Sequence, residues 1–523
     1  MTAYCISVTG LNDSGEPKTF TNIAITSGPR QEVIEGLPPD ADSRITQVGN
    51  FERHALGTRR VTGRPVIDYG VIQLDSSDGG LDELELLGTD GQEVLILRAP
   101  DTESVLANFS TYFKGTVGAA PYANGNISLH IRNRQAEVAD LPLSTEKYAG
   151  DNALPAGVEG VADDIGGSYK PVWLGLCENV PVPLVNTSRH IFQLSSNDAI
   201  AVTGTEPSAV YDSAVEITAT KVQKMVWADF IGATGPSGEL WWYAGAEGWF
   251  IRLEAAPAGT VAVTAQEGGL ATTAQLVKRM LVARGVSSGS IAGDTALDAA
   301  NPETVGYWAG LNEITIGEAL GDILEGVVGT WTDDRSGTFT LARLEIPAET
   351  PDHIFYRDQI NREGGEGFRI VATEEPGSPV PVSEVSVFYR KAWHTQTGDE
   401  LDVNAPESQK AFVAKEYRQS RTDNSGVLVK HITAAPHEHR SLFTNKTDAD
   451  TAGARLVALF GVRRFIVEID LSTEDAATVL LFQTISIPIG RFDFDTRNFR
   501  VIGIVDVLDT QTAASKTTLI LWG

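Results

Sequence analysis

His437-Glu-His439 is the grouping in this chain most like a metal site. In a strand, residues two apart share a face, so both imidazoles could approach one ion. Tetrahedral zinc takes at least three protein ligands, and none lies nearby in sequence, so a structural or surface role is expected. Carboxylate pairs occur at Asp163-Asp164, Asp333-Asp334 and Glu374-Glu375, but acidic residues are common throughout the chain. Glycoside hydrolysis needs two carboxyls held across a cleft, which adjacency does not supply. The aromatic run Trp241, Trp242, Tyr243, Trp249 and Phe250 could stack on sugars; its near-alternation more readily puts one face in a core and the other at an interface.

Other chemistry lacks its motif. There is no His-Glu-x-x-His, no Walker glycine loop and no Gly-x-Ser-x-Gly elbow. Gly232–Gly238 is glycine-rich, yet Pro236 and the following Trp241-Trp242-Tyr243 run make a hairpin loop the expected reading rather than a phosphate cradle. Sequons stand at Asn108, Asn126, Asn186 and Asn445, but the first residues lack the basic and apolar regions of an export signal. The expectation is a non-enzymatic protein with no catalytic residues, no cofactor and no metal.

The elements that would position these residues follow from length and pattern. A chain of 523 residues exceeds what one core fills, ~250–300 residues, so several domains are expected. Cys5 and Cys177 are too few for a disulfide framework and read as free thiols. Lys and Arg number 41 against 69 Asp and Glu, a net charge of −28, which opposes non-specific binding to phosphates. With no apolar run of about 18 residues, no membrane insertion is expected.

Period-two alternation marks strands around Phe20–Ile25, Ile67–Val71, Val94–Leu97, Ile127–Ile131, Phe465–Leu471, Ile485–Ile489, Phe499–Val507 and Thr518–Gly523. Turns are expected at residues 27–29, 77–80, 89–91, 124–126 and 509–516, and Arg335-Ser336-Gly337 should turn a hairpin bearing Trp331. Helices are expected at residues 273–284, 315–328 (opened by a Thr315/Glu318 capping box, with Gly329 past its end) and 448–460. The chain thus reads as mainly β with minor α, multidomain, with barrel- or sandwich-like units. The expected units are residues 1–165 (a barrel), 166–270 (β-rich), 271–375 (α+β) and 376–523 (a second barrel beginning at Ser383–Tyr389 and running through Gly426–Thr433), with Asp140–Gly167 as a long connection and a linker over Ala372–Pro381.

In order, Tyr69–Leu84, Leu141-Pro142-Leu143, Tyr148-Ala149-Gly150, Gly157–Gly167, Lys170–Val180, Ile191–Ser195, Ala209–Asp212, Gly248–Ala265, the Trp331 hairpin and the final strands resemble the baseplate hub (tail tip) proteins of bacteriophages. The resemblance covers about residues 60–350 and 450–523. It implies a virion structural protein, assembled in the host cytoplasm. Such a protein forms homotrimers, closes the tail tube, matches a sixfold tube to a threefold fibre or spike, and lines part of the DNA exit channel. Implied partners are distal tail, tape measure and central fibre or spike proteins, with double-stranded DNA passing without specific binding. Alternatives are a distal tail adaptor ring and a carbohydrate-active or glycan-binding β-protein.

Overall fold

Alternating apolar residues build the first sheet of the computed structural model, which describes residues 2–25, 34–38, 41–100, 103, 105–151, 157–201, 203–334, 337–360, 367–508 and 516–523. Its strands run in the order Pro17–Ile25, Thr2–Leu11, Glu93–Pro100, Ser110–Ala119, Asn126–Arg132, Val71–Asp75 and Ile45–Gln47, with Tyr122–Ala123 added beside Asn126–Arg132. The two ends of this order meet where Asp42 N donates to Thr21 O at 3.1 Å, so the sheet curls into a barrel. Tyr4, Ile6, Val8, Ile72, Leu74, Val94 and Ile96 fill it. The expected turns at residues 27–29 and over 509–515, and Arg335-Ser336 of the Trp331 turn, lie outside the described residues, as do the side chains of Ile23, Ile25, Ile67 and Tyr69.

The second large sheet joins the two ends of the sequence. Strands Phe368–Val371, Ile466–Ser472, Lys516–Trp522 and Asn498–Leu508 follow in order. The far edge of Asn498–Leu508 is shared: Thr484–Ser486 pairs with Asn498–Arg500, and Gly49–His54 pairs with Gly503–Leu508. Val66–Tyr69 then pairs with Phe51–His54. The stretch Ile67–Val71 is therefore two strands, broken at Gly70, which belong to different sheets. A Cβ at Gly70 would stand 2.6 Å from Asn50 N, so the crossing point requires glycine.

Between them lies a sandwich. One sheet runs Val215–Glu216, Ala209–Asp212, Val261–Gln266, Val172–Pro181, Thr304–Ala309 and Ala271–Thr272; the other runs Leu184–Asn186, Ile191–Ser195, Gly248–Arg252, Glu239–Gly245 and Thr220–Gln223. Gly248–Arg252 and Val261–Gln266 do not pair with each other, because each joins a different sheet of the sandwich. Thr220–Gln223 runs parallel to Glu239–Trp242, so residues 224–238 form a crossover containing a short helix, Trp227–Phe230, and Gly232–Gly238 is not a hairpin loop. The tight turn falls instead at Gly245–Gly248.

The helices occupy Thr273–Ala283, Ile316–Glu325 and Lys446–Phe460, with shorter ones at Asp82–Leu86, Arg134–Ala139, Asp294–Ala300 and Glu407–Val413. Thr272 and Thr315 each make a complete capping box, with Gln275 and Glu318. The helix at Ile316 stops at Glu325, earlier than its apolar pattern suggests, because Val328 adopts φ +50° and Gly329 already opens a strand. Residues 425–429 form a 3-10 turn and not a strand; the small sheet is Arg418–Asp423, Glu384–Tyr389 and Pro436–Arg440. No helix among the described residues is long and apolar enough to cross a membrane.

The final strand is buried on both faces. Leu519 and Leu521 join Ile469, Ile485, Phe499 and Val501, while Ile520 and Trp522 enter the central core against Phe460 and Leu456. Removing Thr518–Gly523 is expected to abolish folding of this sheet, and Leu521→Ala to cost about 2–5 kcal/mol through transfer and cavity terms. Urea denaturation of the full chain checks this; an unchanged midpoint in the Leu521→Ala protein contradicts the packing described.

Candidate functional site

His437 and His439 lie on the strand Pro436–Arg440, which pairs in parallel with Glu384–Phe388. Both rings turn inward and stand 6.1 Å apart by centroid, with His437 edge-on to Phe460 at 5.8 Å. His439 is fully enclosed and its Nε2 lies 3.1 Å from the carbonyl of Gly326, so that nitrogen carries a proton and donates it. Burial holds His439 down to about 4, and burial likewise lowers His437. No third histidine, cysteine or carboxylate completes a metal-binding group with them among the described residues.

Glu375 lines the same cavity as His437, a recess of about 310 Å³ walled by Pro376, Pro379, Pro381 and Pro436. Its carboxylate is already engaged. Oε1 accepts from Arg60 Nε at 2.9 Å, and Oε2 accepts from Val61 N and Thr62 Oγ1, both at 2.9 Å. Glu375 is thus a clasp on the loop after the inserted strand Gly49–His54. Asp333, from the second expected pair, is buried and accepts from Asn133 Nδ2 at 3.1 Å. Desolvation raises it to about 6. Asp163-Asp164 is exposed at the surface.

The aromatic run offers no platform. Trp242 and Trp249 pack between the sandwich sheets with Trp173, and Trp173 and Trp249 meet edge-on at 5.3 Å. Trp241, Tyr243 and Phe250 face the other way, and that face too is closed, by Phe230, Tyr148 and Ile165. All five are at most 7% exposed, so neither face is open to a sugar. Two of the sequons are also engaged. Asn186 is buried, and Asn445 caps the helix Lys446–Phe460 through Asp448 N at 3.0 Å.

Two polar nodes are not marked by any sequence motif. Arg284, following the helix Thr273–Ala283, donates to both oxygens of buried Asp198 at 2.9 Å and to the carbonyls of Pro142 and Leu143. Asp198 also accepts from Thr145 N, Thr145 Oγ1 and Ile200 N. Burial alone would raise this carboxyl; the donors from Ile200 and Thr145 and the Arg284 charge outweigh it, and it titrates below the usual range. This node docks the Leu141-Pro142-Leu143 part of the connection. Tyr148, whose hydroxyl donates to Gln193 Oε1 at 2.6 Å, docks the next part. The other node lies on the helix Ile316–Glu325, where burial raises both Asp322 and Glu325, with Arg64 donating to Asp322 at 2.9 Å. Side chains as far as 258 residues apart converge in these groups, so no local spacing announces them.

No protein-family model matches the chain, and no curated protein does. Among solved structures it is similar to a tail protein from Neisseria meningitidis MC58, with 11% identity, 99% of this chain and 96% of that chain covered and a TM-score of 0.38. It is similar to a chain in the virion of a native gene transfer agent particle, with 12% identity, 68% and 85% covered and a TM-score of 0.42. A 43 kDa tail protein of prophage MuSo2 from Shewanella oneidensis gives 8% identity, 99% and 98% covered and a TM-score of 0.38. At these scores no assignment of function rests on them. The class that the fold itself defines is a multidomain, mainly β protein with minor α.

The enclosed histidine makes a pH test. The native state holds His439 neutral down to about pH 4, whereas the unfolded chain takes up the proton near 6.5. The unfolded state therefore binds more protons between those values, and stability falls as pH drops through this window. The loss from His439 at pH 5 relative to pH 7 is about 2 kcal/mol. His439→Gln, which retains a donor for Gly326, is expected to flatten this dependence in urea melts; equal slopes in both proteins contradict it.

Proposed function

We propose that the chain is a structural component of a bacteriophage tail, at the baseplate hub, and that it does no catalysis. The observation that carries this reading is the pair of eight-stranded sheets, one drawn mainly from each end of the chain, welded by the strand Gly49–His54. Two large β units in each of three chains make six in a ring, the number a threefold ring needs in order to meet a sixfold tube. The ordered motifs from Tyr69 to the last strand supply the sequence side of the same reading. Leu141-Pro142-Leu143 is held by part-buried hydrogen bonds from Arg284 and Tyr148 by a buried one, as suits a rigid connection.

The proposed units are residues 1–165, 166–270, 271–375 and 376–523, with the Gly49–Tyr69 hairpin lent by the first to the last. Distal tail, tape measure and central fibre or spike proteins are the proposed neighbours, and the virion the proposed location. A distal tail adaptor ring is the alternative within the same class. A glycan-binding role loses its best sequence candidate, because Trp241, Trp242, Tyr243, Trp249 and Phe250 are enclosed.

Mass photometry and symmetry analysis of purified particles are expected to give three copies in a closed ring; a sixfold ring or a lone monomer in the particle rules the hub reading out. A chain of net charge −28 is further expected to leave the bore acidic or neutral, so that DNA passes without being held. Tight, salt-sensitive retention of double-stranded DNA by the assembled ring contradicts this.

A further inference from the structure

The chain is acidic, yet one face gathers arginines on aromatic rings. Arg463 and Arg497 both lie over Phe465, at 5.1 and 5.2 Å from the ring centroid. Arg464 lies 4.9 Å over Trp522, and its guanidinium donates to the backbone carbonyls of Leu459 and Ala458. Burial, and then the like charge of Arg497, lowers Arg464. None of these three arginines has a carboxylate within 4 Å among the described residues, although acidic residues outnumber basic ones 69 to 41.

Apolar groups stand exposed on the same face. Phe492 is 48% exposed and Val462 50% exposed. Phe465 touches Phe494 at 5.9 Å, and Phe494 touches Phe492 at 5.7 Å, so the aromatics form one continuous group. Phe492 and Asp493 take φ values of +57° and +59°, a left-handed conformation that is unfavourable for a non-glycine residue. That strain falls where Phe492 is presented outward. Arginine and aromatic residues together are the composition of protein interface centres.

The segment Gly398–Glu407 has the opposite character. It carries Asp399, Glu400, Asp402 and Glu407 and no lysine or arginine, and Val403 projects from it at 85% exposure. It packs on the central sandwich, where Asp402 N donates to Ser213 O at 3.0 Å and Ala405 meets Ala214. The arginine face belongs to a different sheet, the one that contains Ile466–Ser472.

We propose that the face formed by Arg463, Arg464, Arg497, Phe465 and Phe492 receives the acidic segment Gly398–Glu407 of a second copy of this chain. The contact is head-to-tail, each copy offering one half to each neighbour, the kind of interface that builds a ring when the rotation closes. Three guanidiniums that lack a carboxylate partner meet four carboxylates, of which Glu407 already holds Lys410 at 3.0 Å, and Val403 meets the exposed ring of Phe492. The contact deepens the reading of the chain as a ring-forming tail component and rests on it.

Sedimentation velocity of the full chain between about 1 and 100 μM tests it, a range that reports dissociation constants in the micromolar decade. The wild type is expected to self-associate. Arg463→Glu/Arg497→Glu and Asp399→Lys/Glu407→Lys are each expected to weaken association about tenfold or more, and the four substitutions combined in one chain to restore it. Arg463→Gln/Arg497→Gln replaces the first variant if its melting temperature falls. Association by the arginine variants as tight as wild type overturns the contact and leaves the ring reading intact. Loss of association in the arginine variants but not in the acidic-segment variant overturns this pairing and assigns the face to another acidic surface. A wild type that stays monomeric across the range overturns the contact and the ring-forming reading together, and binding of a polyanion such as heparin by that monomer, lost in the arginine variants, would reassign the face to an anionic ligand.

Discussion

The strand Asn498–Leu508 is the element on which the remaining architecture depends. One edge pairs along its length with Lys516–Trp522, and the other is divided between Thr484–Ser486 and Gly49–His54. A strand edge left open would present a row of unpaired backbone groups, so the segment from the beginning of the chain is needed to complete it. Its end also reaches the first barrel. Leu508 packs in the core of that barrel, and Asp506 accepts from Tyr112 at 2.7 Å and from Thr517 at 2.6 Å, joining both sheets through one buried carboxylate. At Gly503 a Cβ would stand 2.6 Å from His54 Nδ1, so the inserted strand fits only against glycine.

Charge is distributed around this weld in pairs and nodes. Glu468, 2% exposed, receives both Arg59 and Arg369, the first from the loop after the inserted strand and the second from the sheet's edge. Glu375 holds the same loop from the linker side. Removing one partner of such a buried group leaves the other unpaired, which is costly, whereas exposed pairs contribute little. The acidic excess is therefore partly structural: several carboxylates fix where the loop after His54 must lie, and others remain at the surface.

The aromatic run shows how local pattern and tertiary placement divide the work. Alternation placed Trp242 and Trp249 on one face and Trp241, Tyr243 and Phe250 on the other, and the strands do follow it. What covers the second face is the connection through Tyr148 and Ile165 with the short helix at Trp227, none of which has a period that points to it. The histidine pair behaves in the same way. Its shared face follows from strand geometry, while the Gly326 carbonyl that fixes His439 comes from a helix end more than a hundred residues away.

The sequence by itself determined the elements whose signal is local. Period-two runs gave the strands at Ile466–Ser472, Asn498–Leu508 and Lys516–Trp522, a capping box opened the helix at Ile316, and composition set a multidomain, mainly β class. Apolar spacing and side-chain capping act over a few residues, so they are legible without the fold. Tertiary structure alone decided that Ile67–Val71 splits at Gly70 between two sheets, that residues 224–238 cross over instead of turning back, and that Asp198, Glu468 and Asp506 are buried with partners from distant segments. Strand pairing and burial of charge are satisfied by whichever group arrives in space. The sequence pattern records that a strand has two edges to fill and leaves open which strand fills them.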